Sequence, residues 1–343
     1  MKIILPDYTQ EEAYGLMPEL KKYTVRQIYA WLPLGKEFEE MTDVAKSVRS
    51  SLAERFIAQP VVISKVYTGK DGTEKYLYKL QDGALIEGVL MRYKYGNTLC
   101  VSTQVGCRMG CRFCASTLDG LIRNLSAGEI LGQVYAVNGR LGATRENRQI
   151  TNIVLMGSGE PLDNFDNTVR FLRMVNDENG LNIAMRNISL STCGLVPEIE
   201  RLSQLGLQIN LTISLHEAYN EKRKEIMPIA NKYTVEEVVN AARRYFENTG
   251  RRIIFEYTLI QDFNDTEKDA EKLAVLIRGM SAHVNLIMLN PVEERKLVSA
   301  TKKRTCAFSE KLTKLGVSNT IRRSLGADIE GACGQLRRRV GNE

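Results

Sequence analysis

Four of the seven cysteines in this 343-residue chain fall in one short stretch, TLCVSTQVGCRMGCRFCAS from Thr98 to Ser116. Cys107, Cys111 and Cys114 form a Cys-x3-Cys-x2-Cys run, and Cys100 stands one short strand upstream. Thiolates hold iron-sulfur clusters, usually four to a cluster. Three from a single loop would leave one iron open to a substrate or cofactor, much as a catalytic metal keeps an open position. A zinc knuckle is the alternative, but zinc motifs usually bring a second Cys or His pair, and the only histidines are His216 and His283.

Composition sets the frame for that loop. Charged residues are 26% and apolar residues 43%, ordinary globular values that exclude a disordered chain. The length suits one α/β core of barrel size plus a small accessory unit. No apolar run reaches the roughly 18 residues of a membrane span, and MKIILPDYTQEEAY lacks a signal-peptide pattern. The expectation is a cytoplasmic protein without membrane contact, whose clustered thiols are metal ligands or catalytic groups rather than disulfides. The net charge of +6 is modest, but Lys302-Lys303-Arg304, Arg322-Arg323 and Arg337-Arg338-Arg339 are clustered. Any one such cluster reads first as a solvated face; the tail triplet near Cys333 points to a polyanion such as nucleic acid.

The elements that must position the cysteines can be read from periodicity. Val25, Ile28 and Leu32, then Val44, Val48, Leu52 and Phe56, recur at helical spacing, with Thr42 or Asp43 as N-cap of the second helix. Tyr29 and Trp31 read as core or groove aromatics. From Pro60 to Met91 the runs VVISKVYT, KYLYKL and ALIEGVLM read as antiparallel strands with a turn at Lys70-Asp71-Gly72. Glu87 interrupts the last run, so it faces outward or aims a carboxylate into a site; the pattern favours outward.

After Asn97 strands and helices alternate. Strands are expected at Asn97–Ser102, Asn152–Met156, Asn187–Ser191, Ile209–Leu215, Ile253–Leu259 and Val284–Leu289, with helices including Ala127–Leu141, Val235–Phe246 and Glu267–Arg278. Capping boxes at Ser126/Glu129 and Thr234/Glu237, and a weaker one at Thr266/Asp269, fix three helix starts. Six βα units imply a parallel sheet with right-handed crossovers. The expected fold is a partial (β/α)6 TIM-like barrel. Its divisions are a helical accessory domain over residues 1–60, a β extension over 61–92, a core over 93–326, and a C-terminal loop and basic tail over 327–343. A possible seventh strand opens NTIRRSLGADIEGACGQLRRRVGNE.

In such barrels active groups project from the C-terminal strand ends. Here those ends carry Gly159 and Glu160 in GSGEP, Ser191, Ser214, His216 and Asn290. One polar strand end means little; the set, on the rim that carries the cysteine loop, suggests a cofactor site.

The x3-x2 cysteine spacing with Phe113 before the last cysteine resembles the radical S-adenosylmethionine superfamily. Together with GLIRNLSAGEILGQV, NIVLMGSGEPLDN, LSTCGLVP, SLH, GRRIIFEYTLI, LNPV and DIEGACGQLRR, the chain resembles the RlmN/Cfr family of RNA adenine methyltransferases over nearly its whole length. The resemblance implies a 4Fe-4S cluster on Cys107, Cys111 and Cys114, and S-adenosylmethionine held by Gly159, Glu160, Ser191, Ser214, Leu215, His216 and Asn290. It implies Cys333 as the methyl carrier (S-methylcysteine), Cys100 as the thiol that resolves it through a transient disulfide, and Glu87 as proton acceptor.

Carbon 2 of adenine is not nucleophilic, so polar methyl transfer fails there and a radical route is required. The resemblance implies carbon 2 methylation of an adenosine in the peptidyl-transferase region of 23S rRNA and of the tRNA adenosine after the anticodon, using two S-adenosylmethionine molecules per turnover. It also implies a flavodoxin-like one-electron donor and a monomeric enzyme. Two alternatives remain at this stage: a Cfr-like carbon 8 methyltransferase conferring antibiotic resistance, and a non-catalytic RNA-binding protein holding zinc. Ser158 and Met288 depart from the family pattern, and Cys193 stands where the family more often has Ser; none removes an implied ligand.

Overall fold

The computed structural model describes residues 2–337, so Arg338 and Arg339 of the basic tail lie outside the described residues. One ten-stranded sheet organises the chain, and its strands lie side by side in chain order. Val61–Thr68, Glu74–Leu80, Leu85–Tyr93 and Gly96–Cys100 pair antiparallel. From Gly96–Cys100 onward the pairing is parallel, through Ile150–Leu155, Ile188–Thr192, Asn210–Ser214, Ile253–Leu259 and Ala282–Met288 to Asn319–Ile321. The first and last strands are not paired with each other, so the curved sheet stays open.

The six expected parallel strands are present within two residues, and the possible seventh forms a short edge strand. The antiparallel strands extend the core sheet, because Leu85–Tyr93 pairs directly with the strand that leads to the cysteine loop. Parallel strands are covered on both faces and so are rich in apolar residues. Leu99, Ile153, Leu190, Leu211, Phe255 and Leu286 are all fully buried.

Helix starts follow the capping chemistry. Ser126 accepts from the Glu129 N–H and Glu129 returns a bond to the Ser126 N–H; Thr234/Glu237 and Thr266/Asp269 form the same box. A further box at Thr9/Glu12 starts the helix Gln10–Leu16, which the apolar periodicity did not reveal. The expected N-cap at Thr42 or Asp43 is corrected: the helix spans Lys46–Arg55 after Ala45. Asp43 instead takes the Trp31 indole N–H at 2.5 Å and pairs with Arg145 at 3.1 Å. Tyr29 donates to the Tyr8 carbonyl at 2.8 Å, so it and Trp31 are committed to packing the helical unit.

Candidate active site

The C-terminal ends of the parallel strands open into a cavity of about 140 Å³. Cys107, Cys111 and Cys114 line it from one side; Gly159, Glu160, Ser191, Ser214, His216 and Asn290 line it from the strand ends. Cys333 and Gly334 close it from the C-terminal segment. The polar strand ends therefore converge as expected. Leu215 does not: its side chain is fully buried in the core, and its carbonyl accepts from Arg223 at 3.0 Å.

Burial shapes the charge of these groups. The Glu160 carboxylate is pushed up by burial and held by the N–H groups of Leu162 at 3.0 Å and Cys193 at 2.8 Å. Burial lowers His216 to about 3, with Arg223 adding to the effect, so its imidazole is neutral. Its Nδ1 accepts from the Thr258 N–H at 3.1 Å, which leaves the proton on Nε2. Its backbone, at φ 58°, turns the ring onto the edge of Phe113, 4.6 Å between centroids.

The three loop thiols are all pushed up by burial, Cys107 to about 12. A thiol in such surroundings ionises when it gains a cation as its ligand partner. Among the described residues no three Cys, His, Asp or Glu groups converge as the ligands of one metal ion must. All three thiols line the first cavity, soft donors of the kind that hold iron-sulfur clusters.

A second cavity, of about 50 Å³, adjoins the first. Cys100, Val89, Met91 and Tyr93 line it from the sheet, Arg322 and Arg323 from just past the last strand, and Cys333 from the C-terminal segment. Cys333 thus faces both cavities and is solvent-exposed, whereas Cys100 is buried and pushed up to about 12, chiefly by desolvation and then by the nearby Cys333.

The C-terminal segment is held there by bonds to distant elements. Gly334 accepts from the Ala115 N–H at 2.7 Å, Ser116 donates to the Leu336 carbonyl at 2.7 Å, and Asn290 donates to the Cys333 carbonyl at 3.0 Å. The hairpin turn contributes too: Asp71 accepts from the Gly326 N–H at 2.9 Å, and the Lys70 N–H donates to Asp328 at 3.0 Å.

Glu87 corrects the outward reading. It is 4% exposed, takes the Arg337 N–H at 2.8 Å, and lies 3.3 Å from Lys75. It shares a strand face with Val89, Met91 and Tyr93 but lines neither cavity, being covered by the C-terminal segment.

Sequence reasoning missed Glu256 and Thr258, which line the first cavity, and gave no site role to Cys193, which also lines it, or to Arg322, which lines the second. Glu256 is 6% exposed, pairs with Arg322 at 2.9 Å and receives the Ser191 hydroxyl at 3.4 Å. A carboxylate inside the apolar run IIFEYTL was the available signal, the same one that singled out Glu87.

A cysteine triad beside the polar C-terminal ends of an open parallel sheet defines a radical S-adenosylmethionine enzyme, and residues 101–274 match the radical SAM superfamily. That membership implies use of a 4Fe-4S cluster and S-adenosylmethionine. The chain is 51% identical, over 98% of its length and 97% of the relative's, to the "Probable dual-specificity RNA methyltransferase RlmN" of Clostridium perfringens. It is 48% identical to the protein of that name from Clostridioides difficile, over 98% of each chain. A crystal structure of a radical SAM methyltransferase from Sphaerobacter thermophilus superposes with a TM-score of 0.93 at 40% identity, covering 98% of this chain and 99% of that one. The chain belongs to the RlmN family of radical SAM methyltransferases. Membership sets aside the non-catalytic zinc reading. Among the described residues no helix is long and apolar enough to cross a membrane.

Proposed function

We propose that this enzyme methylates carbon 2 of adenosine in RNA, with 23S rRNA and tRNA as substrates and Cys333 as the methyl carrier. The observation that carries this reading is the position of Cys333, which faces the cysteine-triad cavity on one side and the Cys100 cavity on the other. A residue that receives a methyl group on one side and is regenerated by a second thiol on the other needs that placement.

Cys107, Cys111 and Cys114 would hold the cluster, and Gly159, Glu160, Ser191, Ser214, His216 and Asn290 would surround S-adenosylmethionine. Leu215 lies between Ser214 and His216 without lining the cavity. When bound, the cluster would supply the one-electron chemistry, the electron that cleaves S-adenosylmethionine to an adenosyl radical and a sink for the electron left over after addition to the base.

The chain's own residues do the rest. The Cys333 thiolate first displaces the methyl group from the sulfonium, forming its S–CH3 bond and releasing S-adenosylhomocysteine. Once the S-methyl group has given a hydrogen atom to the adenosyl radical, forming 5′-deoxyadenosine, its carbon bonds to carbon 2 of the adenine and bridges Cys333 and the base. Glu87, or a water it orients once the segment above it shifts, takes the ring proton. Cys100 as thiolate then attacks the Cys333 sulfur; the S–S bond forms, the S–C bond breaks, and its electron pair takes a proton to complete the methyl group. Reduction of the disulfide by cellular thiols resets the pair. A flavodoxin-like donor, a monomeric state and a cytoplasmic setting belong to the same reading. Arg323, exposed at the second cavity, suits the phosphates of an RNA whose base is splayed out.

The test is an anaerobic assay with unmodified 23S rRNA fragment or tRNA, reductant and methyl-labelled S-adenosylmethionine. Wild type is expected to yield 2-methyladenosine by mass spectrometry, Cys333→Ala none, and Cys100→Ala a trapped protein–RNA adduct. Undiminished methylation by Cys333→Ala overturns the carrier mechanism, and 8-methyladenosine as product overturns the carbon 2 assignment.

A further inference from the structure

Two guanidinium groups beside the cysteine loop are paired with no carboxylate among the described residues. Arg223 lies in the helix Asn220–Ile226 and is fully buried. Its Nε donates to the Leu215 carbonyl at 3.0 Å and its Nη2 to the carbonyls of Cys193 at 2.7 Å and Ser214 at 3.3 Å; Nη1 has no hydrogen-bond partner. The same helix is clasped to the cysteine loop, since its Ile226 carbonyl accepts from the Arg112 N–H at 2.9 Å.

Arg295 approaches from the other side. Its Nη2 donates to the Thr117 hydroxyl oxygen at 3.3 Å, and its Nε is buried without a partner. Thr117 in turn donates to the carbonyls of Cys111 at 3.1 Å and Cys114 at 2.9 Å, so Arg295 is one residue removed from the backbone of two of the three loop cysteines. Arg108, the cation within the loop, differs: Asp163 grips it in a two-pronged pair.

A guanidinium taken out of water with no anion is costly, and carbonyl dipoles only partly replace a counter-charge. Chains that bury one usually supply a carboxylate, as this chain does for Arg322 with Glu256. Around Arg223 and Arg295 the anion has to be something the working protein acquires. Three thiolates outweigh the charge of a cubic iron-sulfur core, and one-electron reduction makes the site more negative still. The field of Arg223 acts on Cys111 and Cys193, and that of Arg295 on Cys114.

We infer that Arg223 and Arg295 are the counter-charges of the cluster and set its reduction potential, stabilising the reduced state against an otherwise apolar surrounding. The inference rests on the cluster assignment proposed above. Both residues act through the cluster rather than on substrate, so they are positioning residues. Their unpartnered Nη1 and Nε leave two positive charges uncompensated beside a site whose negative charge rises on reduction, which favours electron acceptance from a weak donor. Losing either positive charge makes the cluster harder to reduce.

The experiment is a potentiometric titration of anaerobically reconstituted full-length protein, without RNA, followed by the paramagnetic signal of the reduced cluster. Arg223→Met removes the charge at similar length, Arg223→Lys keeps it while losing the forked hydrogen bonds, and Arg295→Gln removes the second charge from a half-buried position. The expected result for Arg223→Met and Arg295→Gln is about a tenfold lower reduced-to-oxidised ratio at the wild-type midpoint, a shift of about 59 mV for one electron. Arg223→Lys stays near wild type. Midpoints unchanged in both charge-removing variants, with iron content intact, overturn the inference and leave both residues as scaffolding. Should Arg223→Met not fold, an unchanged midpoint in Arg295→Gln alone is sufficient to overturn it. Wild-type protein that takes up no cluster refutes the cluster assignment instead, so the two failures are distinct.

Discussion

Gly159 offers the sharpest test of how the backbone shapes the cofactor cavity. Its φ is +111°, a region L-residues rarely enter, and a Cβ there would lie 2.7 Å from Gln104 Cβ and 2.8 Å from both Gln104 N and Thr103 Oγ1. Gly159→Ala therefore carries two costs: backbone strain of ~1–3 kcal/mol and overpacking of ~1–3 kcal/mol. Relief requires the Ser158–Glu160 segment to move off the Gln104 strand. That segment's Glu160 N–H is bonded to Gln104 Oε1 at 2.9 Å, and its carboxylate to two further N–H groups, so the movement disturbs the cavity wall itself. Gly142→Ala is the control, with φ +69° and open space around the added carbon, and should cost only ~1–2 kcal/mol. Denaturant unfolding should find Gly159→Ala less stable than Gly142→Ala by ~1–3 kcal/mol. Equilibrium binding of S-adenosylmethionine to the reconstituted protein should weaken about tenfold or more, ~1.4 kcal/mol, in the first variant alone. Equal stability and wild-type binding in Gly159→Ala would refute the close-approach argument.

Two further predictions concern the buried titrating groups. Burial raises Glu87 above the ordinary carboxyl range while Lys75 and the Arg337 N–H oppose it. Its base form is therefore lost at a higher pH than an ordinary glutamate's, and any stability from its protonated form is present below the unfolded pKa and lost as pH rises through the folded one. Single-turnover rates should show an acidic limb above pH ~4.3 that disappears in Glu87→Gln, and Lys75→Met should move it higher while costing ~3–5 kcal/mol of stability; a limb unchanged in Glu87→Gln would exclude the residue as base. For the thiol pair, desolvation raises both, Cys100 to about 12, while Arg322 opposes the rise at Cys333; access separates them, since Cys100 is 8% exposed and Cys333 is solvent-exposed. Iodoacetamide at neutral pH should alkylate Cys333 well before Cys100 in the cluster-loaded protein, as peptide mass mapping will report; the reverse order would contradict the buried position of Cys100.

The sequence by itself determined whatever rests on local chemistry. Capping boxes placed three helix starts because their hydrogen bonds close within four residues. The cysteine spacing and the polar strand ends announced the site because both are written in consecutive residues. Local signals failed where a partner came from elsewhere. Asp43 looks like an N-cap, yet Trp31 and Arg145 claim its carboxylate. Glu87 reads as outward until the Arg337 backbone covers it.

Only the tertiary structure decided which cysteines face each other. The pairing of Leu85–Tyr93 with Gly96–Cys100 carries Cys100 to the inner face, and hydrogen bonds from Ala115, Ser116, Asn290, Lys70 and Gly326 fix the C-terminal segment above it. Cys333 comes to lie between two cavities through contacts spread across the chain, and Glu256, Arg322 and Arg223 find their partners the same way. Residue type and spacing fix what chemistry a chain can attempt, whereas long-range closure, whose entropy is repaid only by the whole fold, fixes where that chemistry meets.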